Sequence, residues 1–190
     1  MKRLGLVEPL AGRAMVNSPQ VSVIMPVYNA ERFLRLAIDS ILGQTFSNFE
    51  FIIINDGSTD GSLKIIKSYK DSRIHLISRP NKGLAPSLNE GLTRAKGQYI
   101  ARMDADDISL PKRLAQQVDF LDQNPTVGLV GSNYIIIDDS GKKLDVTDVF
   151  THPSDLKVAM VTCNQYGHGS VMMRSTVFKN IKPYDPQIYV

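Results

Sequence analysis

A single cysteine, Cys163, stands in 190 residues. That excludes a disulfide framework and a cysteine-based zinc site, and makes a reducing compartment the simpler setting. Histidine is nearly as scarce: His75, His152 and His168 are scattered, with no metal-ligand spacing. No apolar run approaches the roughly 20 residues of a membrane-spanning helix. An excess of one charge is also missing: 22 Lys and Arg face 19 Asp and Glu, a net charge of +3, which asks for no nucleic-acid partner. Two glycine-rich phosphate motifs are absent, the dinucleotide fingerprint Gly-x-Gly-x-x-Gly and the P-loop. Asp56-x-Ser58-x-Asp60-Gly61 opens like an EF-hand loop, but Lys67 stands where a bidentate Glu is needed, and an apolar strand pattern precedes it.

What is present is ordinary for a globular domain. Hydrophobic residues make up 43% and charged residues 22%, which excludes collagen-like and disordered chains. The length suits one compact domain with a real core, or one domain plus a short appendage. Residues 1–20 have no clear period and read as a loose leader, with Met15 a candidate start; Glu8, Pro9 and Arg13 interrupt any signal-peptide core. Residues 182–190 carry no helix cap, charged tail or low-complexity run, and read as the middle of a fold. The domain is therefore expected over 21–190.

Apolar patterning gives the order of elements. Val21–Val27 is a buried strand, closed by a proline-containing turn. A helix is expected over about 30–43, with Leu34, Ile38, Ile41 and Leu42 on one face and Gly43 at its end. Phe49–Ile54 is a second strand, followed by the polar turn 55–62 and a helix bearing Leu63, Ile66 and Tyr69. Ile74–Ser78 is a third strand, and a helix over 84–95 carries Leu84, Leu88, Leu92 and Ala95 on one stripe. Gln98–Met103 is a fourth strand. Pro111 fits the first turn of a helix with Leu114, Val118 and Leu121. Further strands are expected over 127–131, 133–138 and 170–174, with a turn at Gly141 and a short helix over 154–162. This β-α alternation predicts an α/β fold: a Rossmann-like, mostly parallel sheet with helices on both faces. Ligands bind such sheets at the carboxyl ends of the strands. The polar residues gather there: Tyr28 and Asn29, Asp56, Asn81, and Asp104 to Asp107.

Asp104, Asp106 and Asp107 lie within four residues. Carboxylates this close repel one another unless a cation or solvent intervenes. Mg²⁺ and Mn²⁺ bind through one or two carboxylates plus substrate phosphates, so the cluster suits a metal–diphosphate site. A solvated, helix-capping turn is the competing reading. Asp56 ends a central strand, where it can accept hydrogen bonds from a base or ribose, or cap the next helix with Ser58. In Asn81-Lys82-Gly83, Gly83 allows close backbone approach and Lys82 can offset phosphate charge; an ordinary surface turn would look the same.

Four segments occur in register: Pro26-Val27-Tyr28-Asn29; Asn55-Asp56-Gly57-Ser58-Thr59-Asp60-Gly61-Ser62; Asn81-Lys82-Gly83 with Asn89; and Asp104-Ala105-Asp106-Asp107. Together they resemble the family 2 glycosyltransferases, inverting enzymes of the GT-A nucleotide-diphospho-sugar transferase fold, over about residues 21–190. The resemblance implies that Pro26, Val27 and Tyr28 line the base and ribose pocket. It implies that Asp56 contacts the base, that Lys82 and Gly83 border the nucleotide, and that Asp104 and Asp106 hold the ribose side and a divalent cation, Mn²⁺ or Mg²⁺. It places His168 on the acceptor side.

The reaction so implied transfers a sugar, with inversion, from a nucleotide-diphosphate donor (a UDP-sugar favoured) to a hydroxyl of a saccharide or lipid-linked acceptor. Polysaccharide or glycoconjugate biosynthesis is the implied setting, cytoplasmic or peripheral at the inner face of the membrane. The family's base is the aspartate of an acidic pair, and Asp185 aligns with the residue before that pair. No base is therefore assigned; an acidic pair is expected beyond Val190. Two alternatives stay open: a nucleotide-sugar-binding module without catalysis, and a nucleotidyltransferase. The latter usually has a glycine-rich basic loop after its first strand, unlike Pro26-Val27-Tyr28-Asn29.

Overall fold

The computed structural model describes residues 18–147, 167–179 and 184–187. The leader up to residue 17 and the helix expected over 154–162 lie outside the described residues.

Within them, strands and helices alternate as β1 (Val21–Val27), α1 (Leu34–Leu42), β2 (Phe49–Asp56), α2 (Ser62–Ser68), β3 (Ile74–Arg79), α3 (Leu84–Arg94), β4 (Tyr99–Arg102) and α4 (Arg113–Gln123). Four short strands follow: β5 (Leu129–Val130), β6 (Ile135–Ile137), β7 (Lys143–Val146) and β8 (Met172–Arg174). The main sheet has the order β3-β2-β1-β4-β8-β5. Strands β1 to β4 run parallel, whereas β8 runs antiparallel to both β4 and β5. The mostly parallel sheet is as expected.

The two sheet faces are covered separately because strand side chains alternate. On one face Val23, Met25, Phe51, Ile53, Tyr99 and Ala101 pack with α1, α2 and α4, through residues such as Leu34, Ile38, Ile66, Leu114 and Val118. On the other, Ile24, Ile52, Ile54 and Ile100 pack with Leu88 of α3 and with Val171 and Met173. Strands β1 and β2 are buried on both faces, which is why they read as continuous apolar runs rather than alternating ones.

Several expectations needed correction. The first helix begins at Leu34, not 30, because Asn29 to Phe33 form turns instead. The buried face of α3 is Ala85, Ser87, Leu88 and Gly91, leaving Leu84 exposed at the helix start. The expected strand 133–138 shrinks to β6 and leaves the main sheet: it pairs with β7 as a separate hairpin, tightened by Asp138 around the Gly141 turn. Ser170 belongs to a 3-10 turn, His168–Ser170, and not to β8.

Candidate active site at the carboxyl edge of the sheet

The loops leaving β1 and β2 are stitched together by short polar side chains. Asn29 has φ of 49°. Its N–H donates to Ser58 Oγ at 3.1 Å, and its Oδ1 accepts the Thr59 N–H at 2.8 Å. The Ala30 N–H donates to Ser62 Oγ and the Glu31 N–H to Asp60, both at 3.0 Å. In return Glu31 accepts the Gly61 N–H at 2.5 Å. This lacing explains why both turns are rich in Ser, Thr, Asn and Asp: their side chains satisfy backbone groups that no helix or strand serves. Tyr28 stands at the rim, 54% exposed. Pro26 is half-buried, and the Val27 side chain is buried in the core beneath α1, so Val27 faces the edge with its backbone alone.

Asp56 does not cap α2. Its carboxylate turns to the next loop, accepting the N–H groups of Lys82 and Gly83 at 2.8 Å each, and pairs with Arg79. Arg79 also binds Glu90 at 2.6 Å and Ser87 at 2.9 Å. Burial works against its charge, and Glu90 and Asp56 more than offset that, so its guanidinium titrates above the ordinary arginine value. Gly83 has φ of 93° and open space beside it, while Gly57, at 71°, leaves no room for a Cβ, which would stand 2.5 Å from the Asn81 nitrogen. The first three motif segments thus form one continuous edge, with Lys82 exposed on it.

The acidic turn follows β4. Asp104 pairs with Arg102, a side chain 6% exposed whose Nε has no partner among the described residues. Asp106 is exposed, and Asp107 reaches solvent while its carboxyl end leans in against Gly169. The Asp107 carboxyl is pushed above the usual carboxylate range, first by burial against its surroundings and then by repulsion from Asp104 and Asp106. Beneath lies Arg113 of α4, donating to the carbonyls of Arg102 at 3.1 Å and Gly169 at 2.8 Å. Its burial lowers its pKa to about 10, against the opposing pull of Asp107.

Gly169 lies against this cluster: a Cβ there would overlap Asp107 Oδ2 and stand 2.9 Å from Asp104 Oδ2. Its missing side chain is the space into which the carboxylates lean. Among the described residues, no three His, Cys, Asp or Glu side chains form a cage for a metal on their own. One or two carboxylates completed by substrate phosphates is the donor set expected for Mg²⁺ or Mn²⁺; Asp104, which leans into the glycine cradle, and the exposed Asp106 two residues on are carboxylates of that kind. His168 is next to the cradle, its Nε2 3.1 Å from the Tyr184 hydroxyl. Burial, then the charge of Arg102, lowers the His168 pKa.

The sequence model of glycosyl transferase family 2 matches residues 22–181. The chain belongs to this family. EpsE of Bacillus subtilis (strain 168), which bears a glycosyltransferase name, is 41% identical over 175 residues, covering 90% of this chain and 62% of that protein. An uncharacterized glycosyltransferase of Haemophilus influenzae is 38% identical over 179 residues, and this chain covers 55% of it. The chain thus spans little more than half the length of these relatives. Among solved structures, S. aureus TarS 1–349 matches with a TM-score of 0.69 at 21% identity, over 90% of this chain and 52% of that one. The mannosyltransferase PcManGT from Pyrobaculum calidifontis, in complex with GDP-Man and Mn²⁺, matches with a TM-score of 0.67 at 20% identity, over 90% of this chain and 49% of that one. TarS in complex with UDP-GlcNAc matches at 0.65 and 22% identity, over 85% and 47%. The GT-A fold of this family 2 member is therefore established.

Sequence reasoning missed four residues here. Arg79, Arg102 and Arg113 organise the acids from below, and Gly169 makes their room. Arg102 had a signal: it is a charge in an otherwise apolar strand, two residues before an acid. The roles of Arg79, Arg113 and Gly169 depend on contacts across 23, 56 and more residues, which no local pattern carries.

Proposed function

We propose that this chain is the nucleotide-sugar-binding and catalytic domain of an inverting, divalent-metal-dependent glycosyltransferase, acting in polysaccharide or glycoconjugate biosynthesis. The observation that carries the reading is the gathering of four separate sequence segments along one sheet edge, with an acidic turn beside a glycine cradle. Tyr28 offers a ring to a base at the β1 end. Asp56 shapes the Lys82–Gly83 turn, which borders the nucleotide. Asp104 faces the ribose side, and Asp106 and Asp104 would hold Mn²⁺ or Mg²⁺. A bound cation supplies positive charge to the departing nucleoside diphosphate. Arg102 fixes the direction of Asp104 and screens its repulsion from Asp107. The complexes of PcManGT with GDP-Man and Mn²⁺ and of TarS with UDP-GlcNAc support a nucleotide-sugar donor, with UDP-sugars favoured.

The test is calorimetry of UDP binding with and without Mn²⁺, on the wild type and Asp106→Ala. Mn²⁺ is expected to tighten UDP binding at least tenfold in the wild type and to have little effect in the variant. UDP binding that ignores both Mn²⁺ and the substitution rules out this metal site. Asp106 is exposed, so the melting temperature should stay the same.

A further inference from the structure

Asn89 sits in the interior of α3, where its short amide is a poor helix former. Its side chain does something else: Nδ2 donates to the Tyr184 carbonyl at 2.8 Å, and Oδ1 accepts the Tyr184 N–H at 2.9 Å. One amide thus pairs both backbone groups of a residue 95 positions away, much as a neighbouring strand would. Only Asn or Gln can donate and accept in this way.

What Asn89 holds in place leads back to the acidic turn. The Tyr184 hydroxyl meets His168 Nε2 at 3.1 Å, and the rings lie 5.6 Å apart. His168 opens the turn that carries Gly169, whose Cα faces the Asp104 and Asp107 carboxylates. Tyr184 and Arg102 also border one hollow floored by Ile24, Leu88, Ile100 and Met173. The direction across the sheet matters too. In the order β2-β1-β4-β8, a base near Tyr28 and Asp56 and a diphosphate at Asp104 and Asp106 leave the next group of an extended donor, its sugar, over the β4–β8 boundary. His168 and Tyr184 are aromatic polar side chains beside that boundary.

We infer that Asn89 is a positioning residue for the donor sugar: by clamping the Tyr184 backbone it fixes the Tyr184–His168 pair that borders the sugar end of the site. This rests on the glycosyltransferase reading above. Asn89 would touch no part of the donor, and it would act on the sugar and not on the nucleotide, because the Asp56–Lys82–Gly83 edge does not depend on Tyr184.

The experiment is calorimetry with Mn²⁺ present on the wild type, Asn89→Ala and Tyr184→Phe. Two ligand pairs serve as probes, UDP with UDP-GlcNAc and GDP with GDP-mannose. In the pair whose sugar the wild type detects, both variants are expected to shift the Kd of the sugar-bearing ligand at least fivefold and that of the bare nucleotide less than twofold. Tyr184→Phe keeps the clamp and removes only the hydroxyl, so it decides the matter even if Asn89→Ala folds poorly. Equal losses for both members of a pair, or no loss, overturn the inference. So does a wild type that binds nucleotides but is indifferent to the sugar. A wild type that binds no nucleotide overturns the donor reading itself.

Discussion

Asp56 Oδ2 accepts the Gly83 N–H at 2.8 Å, joining the end of β2 to the turn before α3 across 27 residues. The other oxygen takes the Lys82 N–H and Arg79, so the carboxylate is fully engaged and its side chain is 4% exposed. Asp56→Asn would aim an amide N–H at a donor. Removing one partner of a buried ion pair costs about 3 kcal/mol or more, though Glu90 still balances Arg79. A loss of about 3 kcal/mol in urea denaturation is expected, together with at least tenfold weaker UDP binding in calorimetry. A variant with unchanged stability would show that the loop is held by other contacts.

Gly169→Ala separates the cradle from the fold. The atoms nearest the new Cβ would be side-chain tips, those of Asp107, Asp104 and Arg102, so the chain can give way by turning Asp104 and Asp107. The thermal midpoint should fall only slightly, whereas the Mn²⁺-dependent gain in UDP affinity should drop about tenfold, a change of about 1.4 kcal/mol. Retained Mn²⁺ dependence would mean that the carboxylates do not need this space.

Gly91→Ala should do the reverse. Replacing a helix-interior glycine by alanine ordinarily stabilises by about 1 kcal/mol. Here the Cβ would overlap Ile24 Cγ2 and come within 3.2 Å of Ile24 Cδ1. Overpacking of a core costs about 1–3 kcal/mol and outweighs the propensity gain. Denaturant titration is expected to show net destabilisation with UDP affinity little changed.

Alkaline stability tests the contact between α2 and α1. The Tyr69 hydroxyl donates to Asp39 at 2.8 Å. Burial first, then this hydrogen bond and the Asp39 charge, push the Tyr69 pKa up to about 12. The folded value lies above the unfolded value of about 10, so the contribution is fully present below about pH 10 and is lost as pH rises towards 12. The wild type should exceed Tyr69→Phe in denaturation midpoint at pH 9 and lose that margin by pH 12. A margin constant across this window would contradict the assignment.

Much of the edge was legible because the chemistry is local. Asn29, Ser58, Asp60 and Ser62 serve backbone groups within two neighbouring turns, and turns of that kind have a compositional signature. The hairpin β6–β7 was only half legible: Gly141 gave the turn and 133–138 read as a strand, but nothing marked Lys143–Val146 as its partner. Three consecutive isoleucines carry no information on which sheet they join.

The sequence alone determined the order of elements from β1 to α4, the α/β class and the four segments that reach the carboxyl edge. Apolar periodicity and turn residues act over a few positions, and the rest follows from the right-handed crossover rule. Only the tertiary structure decided what those segments do to one another: that Asp56 grips the Lys82–Gly83 turn, that Arg102 and Arg113 lie under the acids, that Gly169 leaves room for them, and that Asn89 clamps Tyr184. Those are pairings between residues far apart in the chain, set by strand order and helix placement. Burial then makes each one matter, because a charge or amide removed from water must find its partner inside the fold.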